Sequence, residues 1–300
     1  MQISDKVYSN NAIETFKELS SELRSAQEAI ATGKRIQNVS DDPLAAARLS
    51  VLKEQLSRAD QYLRNIDIAN ARLSLAENAL GTLSNLLTRS YELALQGANA
   101  TNAKGRTAIA TELGEMLHNI RELANSSDES GRQLFAGFKN TTPAFELDVT
   151  GSTKYVGDRG AHTVKISDEM TIQTSLDGAT IFERVPSTSG GFVSLFSLVE
   201  GMLSDLNNGN GDNLPIDGLK NAINHVSDQR AFLGAQQNKG EQQASLLENR
   251  KFVLTENVSD LEDADLSELV TRMQTLMLNQ QGAQNAFARI SQLSLFDYLR

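Results

Sequence analysis

LKEQLSRADQYLRNIDIANARLSLAENALGTLSNLL, residues 52–87, decides the fold. Leu52, Leu56, Ala59, Leu63, Ile66, Ala69, Leu73, Ala76, Leu80, Leu83 and Leu87 recur at spacings of three and four, which is one stripe down a helix. No proline stands between Pro43 and Pro143, so no backbone donor is lost on the way. Upstream, Ser40-Asp41-Asp42-Pro43 reads as a helix start, with a capping oxygen ahead of a proline whose missing N–H would have had no partner. A helix from there to about Gln96 would be on the order of 80 Å long at roughly 1.5 Å per residue. Such a helix predicts an elongated rod.

The same spacing appears at both ends of the chain. Phe16, Leu19, Leu23, Ala26 and Ile30 form a seam in a helix that should end near Gly33. A final helix from about Asp265 carries Leu266, Leu269, Met273, Leu276, Gln280, Ala283, Phe287 and Ile290. Between them, residues 97–105 read as a turn, and Ile109, Leu113, Leu117, Ile120 and Leu123 mark a third helix that folds back. Residues 143–189 alternate instead, in Phe145, Leu147 and Val149, then Val164 and Ile166, then Thr171-Ile172-Gln173-Thr174, so a small β-rich insertion is expected. Helical periodicity returns over residues 192–206 and again over 219–258.

Charge separates the last helix from what precedes it. Residues 256–268 hold six acids and no base, which predicts a charged hinge, whereas residues 273–288 hold no charged residue at all. An ordinary exposed helix is laced with Lys and Glu. The uncharged stretch therefore implies burial, either inside a large domain or between subunits. Isolated helices are marginal in water, so the two ends are expected to be largely disordered in a free chain and to fold against copies or relatives of themselves.

Composition narrows function by exclusion. A 300-residue chain with 40% apolar residues can bury a core, and a formal charge of −10 argues against nucleic acid, which needs clustered Lys and Arg. No apolar run is long enough for a membrane span, and the first residues show no Sec-type signal. The absence of cysteine fits a reducing compartment as well as a protein exported unfolded. His118, His162 and His225 form no His-Glu-x-x-His motif and read as solvated or capping residues. Asp205, Asn207 and Asp212 suggest a calcium loop, yet Gly209 and Ile216 stand where it would need ligands. Asp41 and Asp42 could be imagined as a catalytic pair, but capping and the helix dipole account for them. Neither catalysis, metal nor cofactor has support.

Ala31-Thr32-Gly33-Lys34-Arg35-Ile36, Ser40-Asp41-Asp42-Pro43 and Ala45-Ala46-Ala47 resemble the N-terminal signature of the flagellin superfamily. The resemblance continues in Arg64-Asn65-Ile66, Glu92-Leu93-Ala94-Leu95-Gln96, Gly131-Arg132-Gln133-Leu134-Phe135-Ala136-Gly137, Glu262-Asp263-Ala264-Asp265-Leu266 and the tail from Ser291 through Leu299. Pro43, Phe135-Ala136-Gly137, the Ser294-Leu295-Phe296-Asp297-Tyr298-Leu299 tail and the small insertion are similar to the junction branch, the FlgL or hook-associated type, more than to filament flagellins.

The resemblance implies a mainly α, flagellin-like rod of long antiparallel helices formed by both chain ends. Residues 1–42 and 264–300 would form an inner coiled-coil domain, 43–140 and 192–263 a helical rod with a β-hairpin, and 141–191 an outer β-rich insertion. It also implies a structural role between hook and filament, extracellular in the flagellum after type III export. The implied partners are copies of itself in a ring, another hook-associated protein, flagellin, and a cytosolic chaperone at the C-terminal region. The expected assembly interface is Phe16, Leu19, Leu23, Ile30, Leu269, Met273, Leu276, Phe287, Ile290, Leu293, Leu295 and Phe296. Two alternatives stay open: a filament flagellin, and a surface-bound coiled-coil binding module. The latter is weakened by the expectation that Phe145, Tyr155 and Phe182 are isolated in the insertion and offer no stacking platform.

Overall fold

The computed structural model describes residues 2–99, 103–210 and 214–298; the side chains of residues 2–6, 8, 9, 103 and 290–298 lie outside the description. The chain divides into two compact units, Met1–Ala59 with Asn249–Arg300, and Asp60–Glu248. The fold class read from the sequence holds: long helices at both ends and a small strand-containing middle. The division falls inside two long helices, α2 (Pro43–Asn99) and α5 (Ile216–Glu262), each of which passes through both units.

In the first unit, helix α1 (Gln2–Thr32) stops just before Gly33, and the expected start at Pro43 is met in detail. Asp42 Oδ1 accepts from the Ala45 N–H at 3.0 Å, while Asp41 Oδ2 accepts from the Gln37 and Asn38 N–H groups at 3.1 and 2.8 Å. One carboxylate caps the helix and its neighbour holds the preceding loop, so both are engaged by backbone. Ile36, Ala45 and Leu49 are buried against Ala46, Val258 and Leu261, which packs the loop and the first turns of α2 onto the end of α5. Helix α6 (Leu266–Tyr298) is capped by Asp265, whose Oδ1 accepts from the Ser267 and Glu268 N–H groups. Helices α1 and α6 pack antiparallel, with Phe16 and Phe287 edge to face at 6.0 Å and Gln280 Nε2 donating to Ser20 Oγ at 3.2 Å.

In the second unit, α2 buries Ile66, Ala69, Leu73, Ala76, Leu80, Leu83 and Leu87, the stripe foreseen from the sequence. Helix α5 meets it with Leu219, Ala222, Val226 and Leu233 buried, and Arg230 pairs with Glu77 at 2.6 Å. Helix α3 (Ala103–Ala124) is tied to α2 by Arg89 Nε to Glu112 Oε1 at 2.8 Å and packs on α4 (Leu195–Asn207).

Three antiparallel two-stranded hairpins make up the middle: β1 (Phe145–Leu147) with β2 (Thr153–Tyr155), β3 (Thr163–Lys165) with β4 (Thr171–Gln173), and β5 (Val185–Pro186) with β6 (Phe192–Val193). The helix expected from residue 192 begins three residues later, at Leu195, because Phe192 and Val193 pair back onto β5 across the Gly190-Gly191 turn.

The aromatic expectation fails. Phe145 lies 5.1 Å from Tyr155, from Phe182 and from Phe196, and Phe135 closes the cluster at 5.7 Å from Phe182. These rings sit far apart in sequence and are joined by the hairpins and a single π-turn at Ala179–Glu183, which no periodicity reveals. Phe135, Phe145, Phe182 and Phe196 are fully buried, so the cluster is a core and not a platform for stacking a ligand.

Candidate assembly surfaces

The expected interface residues are placed by the α1/α6 pair. Phe16, Leu19, Leu23 and Ile30 on α1, and Leu269, Met273 and Phe287 on α6, are half-buried. Leu276 alone among them is buried, at 7% exposure. Ala26 and Ala29 on α1 are also buried, small side chains that let the two helices approach. Ile290, Leu293, Leu295 and Phe296 lie outside the described side chains. The seams from the two chain ends thus meet each other within one chain.

Two apolar features of the same unit remain open, and seam reasoning missed both. The first is a ridge on α6, where Val270, Met277 and Leu278 stand off the seam, Leu278 at 72% exposure. The signal was available for Met277 and Leu278: apolar residues away from the three-four stripe, in a stretch of α6 with no charges to keep them wet. The second is a groove of about 630 Å³ between the first turns of α2 and the end of α5, walled by Leu44, Ala47, Val51, Leu52 and Leu261 with Arg48, Asn257 and Asp260 at its edge. Leu44 is 65% exposed and Val51 53% exposed.

Beside the groove sits the one buried charge among the described residues, Glu262. Its carboxylate takes Lys34 Nζ at 2.5 Å and Lys53 Nζ at 2.7 Å. Hydrogen bonds from Lys34 and Lys53 hold Glu262 below the usual carboxylate range, and the bond to Glu262 holds Lys34 above the usual ammonium range. Backbone bonds reinforce the tie: the Arg35 N–H donates to Glu262 O at 2.7 Å, the Ala264 N–H to Gly33 O at 2.9 Å, and Arg35 Nη2 to Leu261 O at 2.9 Å. The acidic run expected to act as a hinge is therefore pinned at Glu262 by two lysines from other segments. The bases missing from its local sequence arrive by folding.

Chemistry of other kinds finds no foothold. His118 is exposed with Nε2 at 3.2 Å from Glu122, as expected of a solvated residue. His225 and His162 depart from that expectation, since His225 Nε2 lies 2.9 Å from Thr180 O and the His162 ring packs edge-on against Phe138 at 4.8 Å. Among the described residues no group of three or more His, Cys, Asp or Glu could hold a metal, and no helix is long and apolar enough to cross a membrane. Asp212, part of the rejected calcium loop, lies outside the described residues.

Residues 3–140 match the bacterial flagellin N-terminal helical region, and residues 216–299 match the bacterial flagellin C-terminal helical region. The chain belongs to the bacterial flagellin family. As a flagellin-family protein it is a structural component of the flagellum and not an enzyme. It is 29% identical over 291 residues to the flagellar hook-associated protein 3 of Escherichia coli, covering 90% of each chain. It is also 23% identical over 276 residues to a flagellin of Listeria monocytogenes, covering 91% of this chain and 90% of that one. The crystal structure of the flagellar junction protein FlgL from Legionella pneumophila has the same fold, with a TM-score of 0.63 at 16% identity, over 71% of this chain and 99% of that one. The family's terminal regions thus coincide with the segments that carry the seam, ridge, groove and the Glu262 tie.

Proposed function

We propose that this flagellin-family chain is the subunit that joins hook to filament, adapting the packing of one to the other. The observation that carries the reading is end-to-end likeness, at higher identity, to a protein named for the hook-associated role than to the Listeria flagellin of similar coverage. Pro43 and the Phe135-Ala136-Gly137 turn support it locally. Pro43 opens α2, and the turn is locked into the aromatic core.

In this reading copies of the chain form a ring, with another hook-associated protein on one side and flagellin on the other. Residues 1–42 and 264–300 form the inner layer, and the insertion 141–191 faces outward. The subunit leaves the cell through the flagellar type III system, with a cytosolic chaperone on its C-terminal region until export. Phe16, Leu19, Leu23, Ile30, Leu269, Met273, Leu276, Phe287, Ile290, Leu293, Leu295 and Phe296 order the inner layer, because their seams close only when the two chain ends lie together.

Deletion of the gene tests the proposal. The expected phenotype is hooks without filaments and flagellin lost to the medium; normal filaments on the deletion strain would overturn it. The filament-flagellin reading, which the Listeria likeness keeps in view, predicts instead that immunogold against this chain decorates the whole filament and not a thin band at its base.

A further inference from the structure

The α6 ridge and the α2/α5 groove belong to one unit, yet no α6 residue lines the groove. Their chemistry matches. The groove is apolar along Leu44, Val51 and Leu261, and its rim carries one cation, Arg48, and one anion, Asp260, for a net charge of zero. A partner surface of either sign would leave one rim charge opposed by its like. Met277 and Leu278 project from the uncharged run of residues 273–288, whose Gln274 and Gln281 amides can accept from a guanidinium and donate to a carboxylate. Apolar centre against apolar centre, with amides opposite a balanced pair of charges, is the arrangement of a specific interface.

We infer that the groove of one copy receives the Met277/Leu278 ridge of the next copy, head to tail. The inference rests on the junction reading, in which copies form a ring. Each copy then offers one ridge and one groove, so contacts propagate; reciprocal exchange between two copies would stop at a dimer. The exposed ridge, unexplained in a free chain, becomes the inter-subunit contact, and the half-buried seam keeps the ridge facing outward by pairing α6 with α1.

The chain has no cysteine, so thiols can be placed cleanly. Flagella are isolated from cells carrying V51C, L278C or the double variant as the sole copy and treated with a short thiol-to-thiol cross-linker. Both positions are more than half exposed, so folding is spared. The double variant should give a ladder of dimers, trimers and higher species of this chain, and neither single variant should give any. A double variant that is present in the flagella but stays monomeric, stops at dimers, or couples to a protein of another mass would overturn the inference, as would dimers from a single variant.

A charge pair supplies a second readout should thiols impair assembly. V51K and L278E alone should each lower incorporation about tenfold or more, equivalent to about 1.4 kcal/mol, and V51K/L278E together should restore it; no restoration refutes the contact. Immunogold on the same flagella separates the two proposals. Label along the entire filament removes the junction reading while leaving the ladder interpretable, and label confined to the junction without a ladder removes the groove contact alone.

Discussion

Gly137→Ala tests whether the Gly131–Gly137 segment is glycine-bounded for a physical reason. Both glycines have positive φ, +73° at Gly131 and +68° at Gly137, where a Cβ costs roughly 1–2 kcal/mol. At Gly131 that is the whole cost, since an added Cβ would meet nothing within 4 Å. At Gly137 it would fall 2.1 Å from Asp158 Oδ1 and 2.3 Å from Asp158 O. An ordinary carbon–oxygen contact is about 3.3 Å, so Asp158 must retreat by roughly 1 Å. Asp158 Oδ1 accepts from the Phe138 and Gly160 N–H groups at 2.7 and 2.9 Å, bonds that also hold its carboxyl below the usual range. Losing the two costs about 0.5–1.5 kcal/mol each, taken at the low end for a partly exposed group. The retreat also pulls on Tyr155, whose hydroxyl donates to Asp158 O at 2.5 Å and whose ring packs on Phe145. The sum is about 2–4 kcal/mol, or roughly 5–15 °C in Tm for a domain of 150–250 residues. Gly131→Ala should lose only about 2–8 °C on the same scale. Thermal unfolding of both variants by circular dichroism decides the matter. If Gly137→Ala is no less stable than Gly131→Ala, the steric argument is wrong.

Phe145→Ala should cost about 3–5 kcal/mol in urea unfolding, since it empties a fully buried ring site ringed by Tyr155, Phe182 and Phe196; a loss below about 1 kcal/mol would mean the ring contacts do not form. Glu262 is depressed by its lysine bonds, so its contribution is complete above the free carboxylate pKa of about 4.3 and disappears as pH falls through the lower folded value. Lys34, raised by the same bond, contributes below about 10.4 and loses its share as pH rises through its folded value. The acid limb of a stability-against-pH curve should therefore flatten in Glu262→Gln, and an unchanged limb would show that the tie is not formed. Leu276→Asp and Phe287→Asp should be exported but not incorporated, because a carboxylate enters the α1/α6 seam at a cost on the order of several kcal/mol; full swarming in soft agar by either strain would refute this.

Helix after helix was legible because local rules suffice. The three-four stripe of α2, the Asp42 cap ahead of Pro43 and the Asp265 cap of α6 depend on residues within a turn of one another. The aromatic core was not legible, since Phe135, Phe145, Phe182 and Phe196 come from four separate segments whose hairpins fix the approach. The sequence reading set Phe145, Tyr155 and Phe182 apart, and the fold makes them neighbours. His225 failed for the same reason, its partner being a backbone carbonyl forty-five residues away, which side-chain patterning never sees.

The same division runs through the candidate site. The seam was read as a stripe, and a stripe says which residues share a face and not what covers it. In the structure the covering surface is the other end of the same chain, which turns the question of assembly toward residues off the stripe. Glu262 makes this concrete: in sequence it is one acid among six without a base, whereas in the fold its carboxylate pairs with Lys34 of the loop after α1 and Lys53 of α2, and three hydrogen bonds tie residues 261–264 to Gly33 and Arg35 of that loop. Because the loop after α1 and the loop before α6 share those bonds, neither can be released without loosening the other. Order in the loop after α1 and at the start of α6 is then a single event, and the α1/α6 pair that follows from them is set in register by the same bonds.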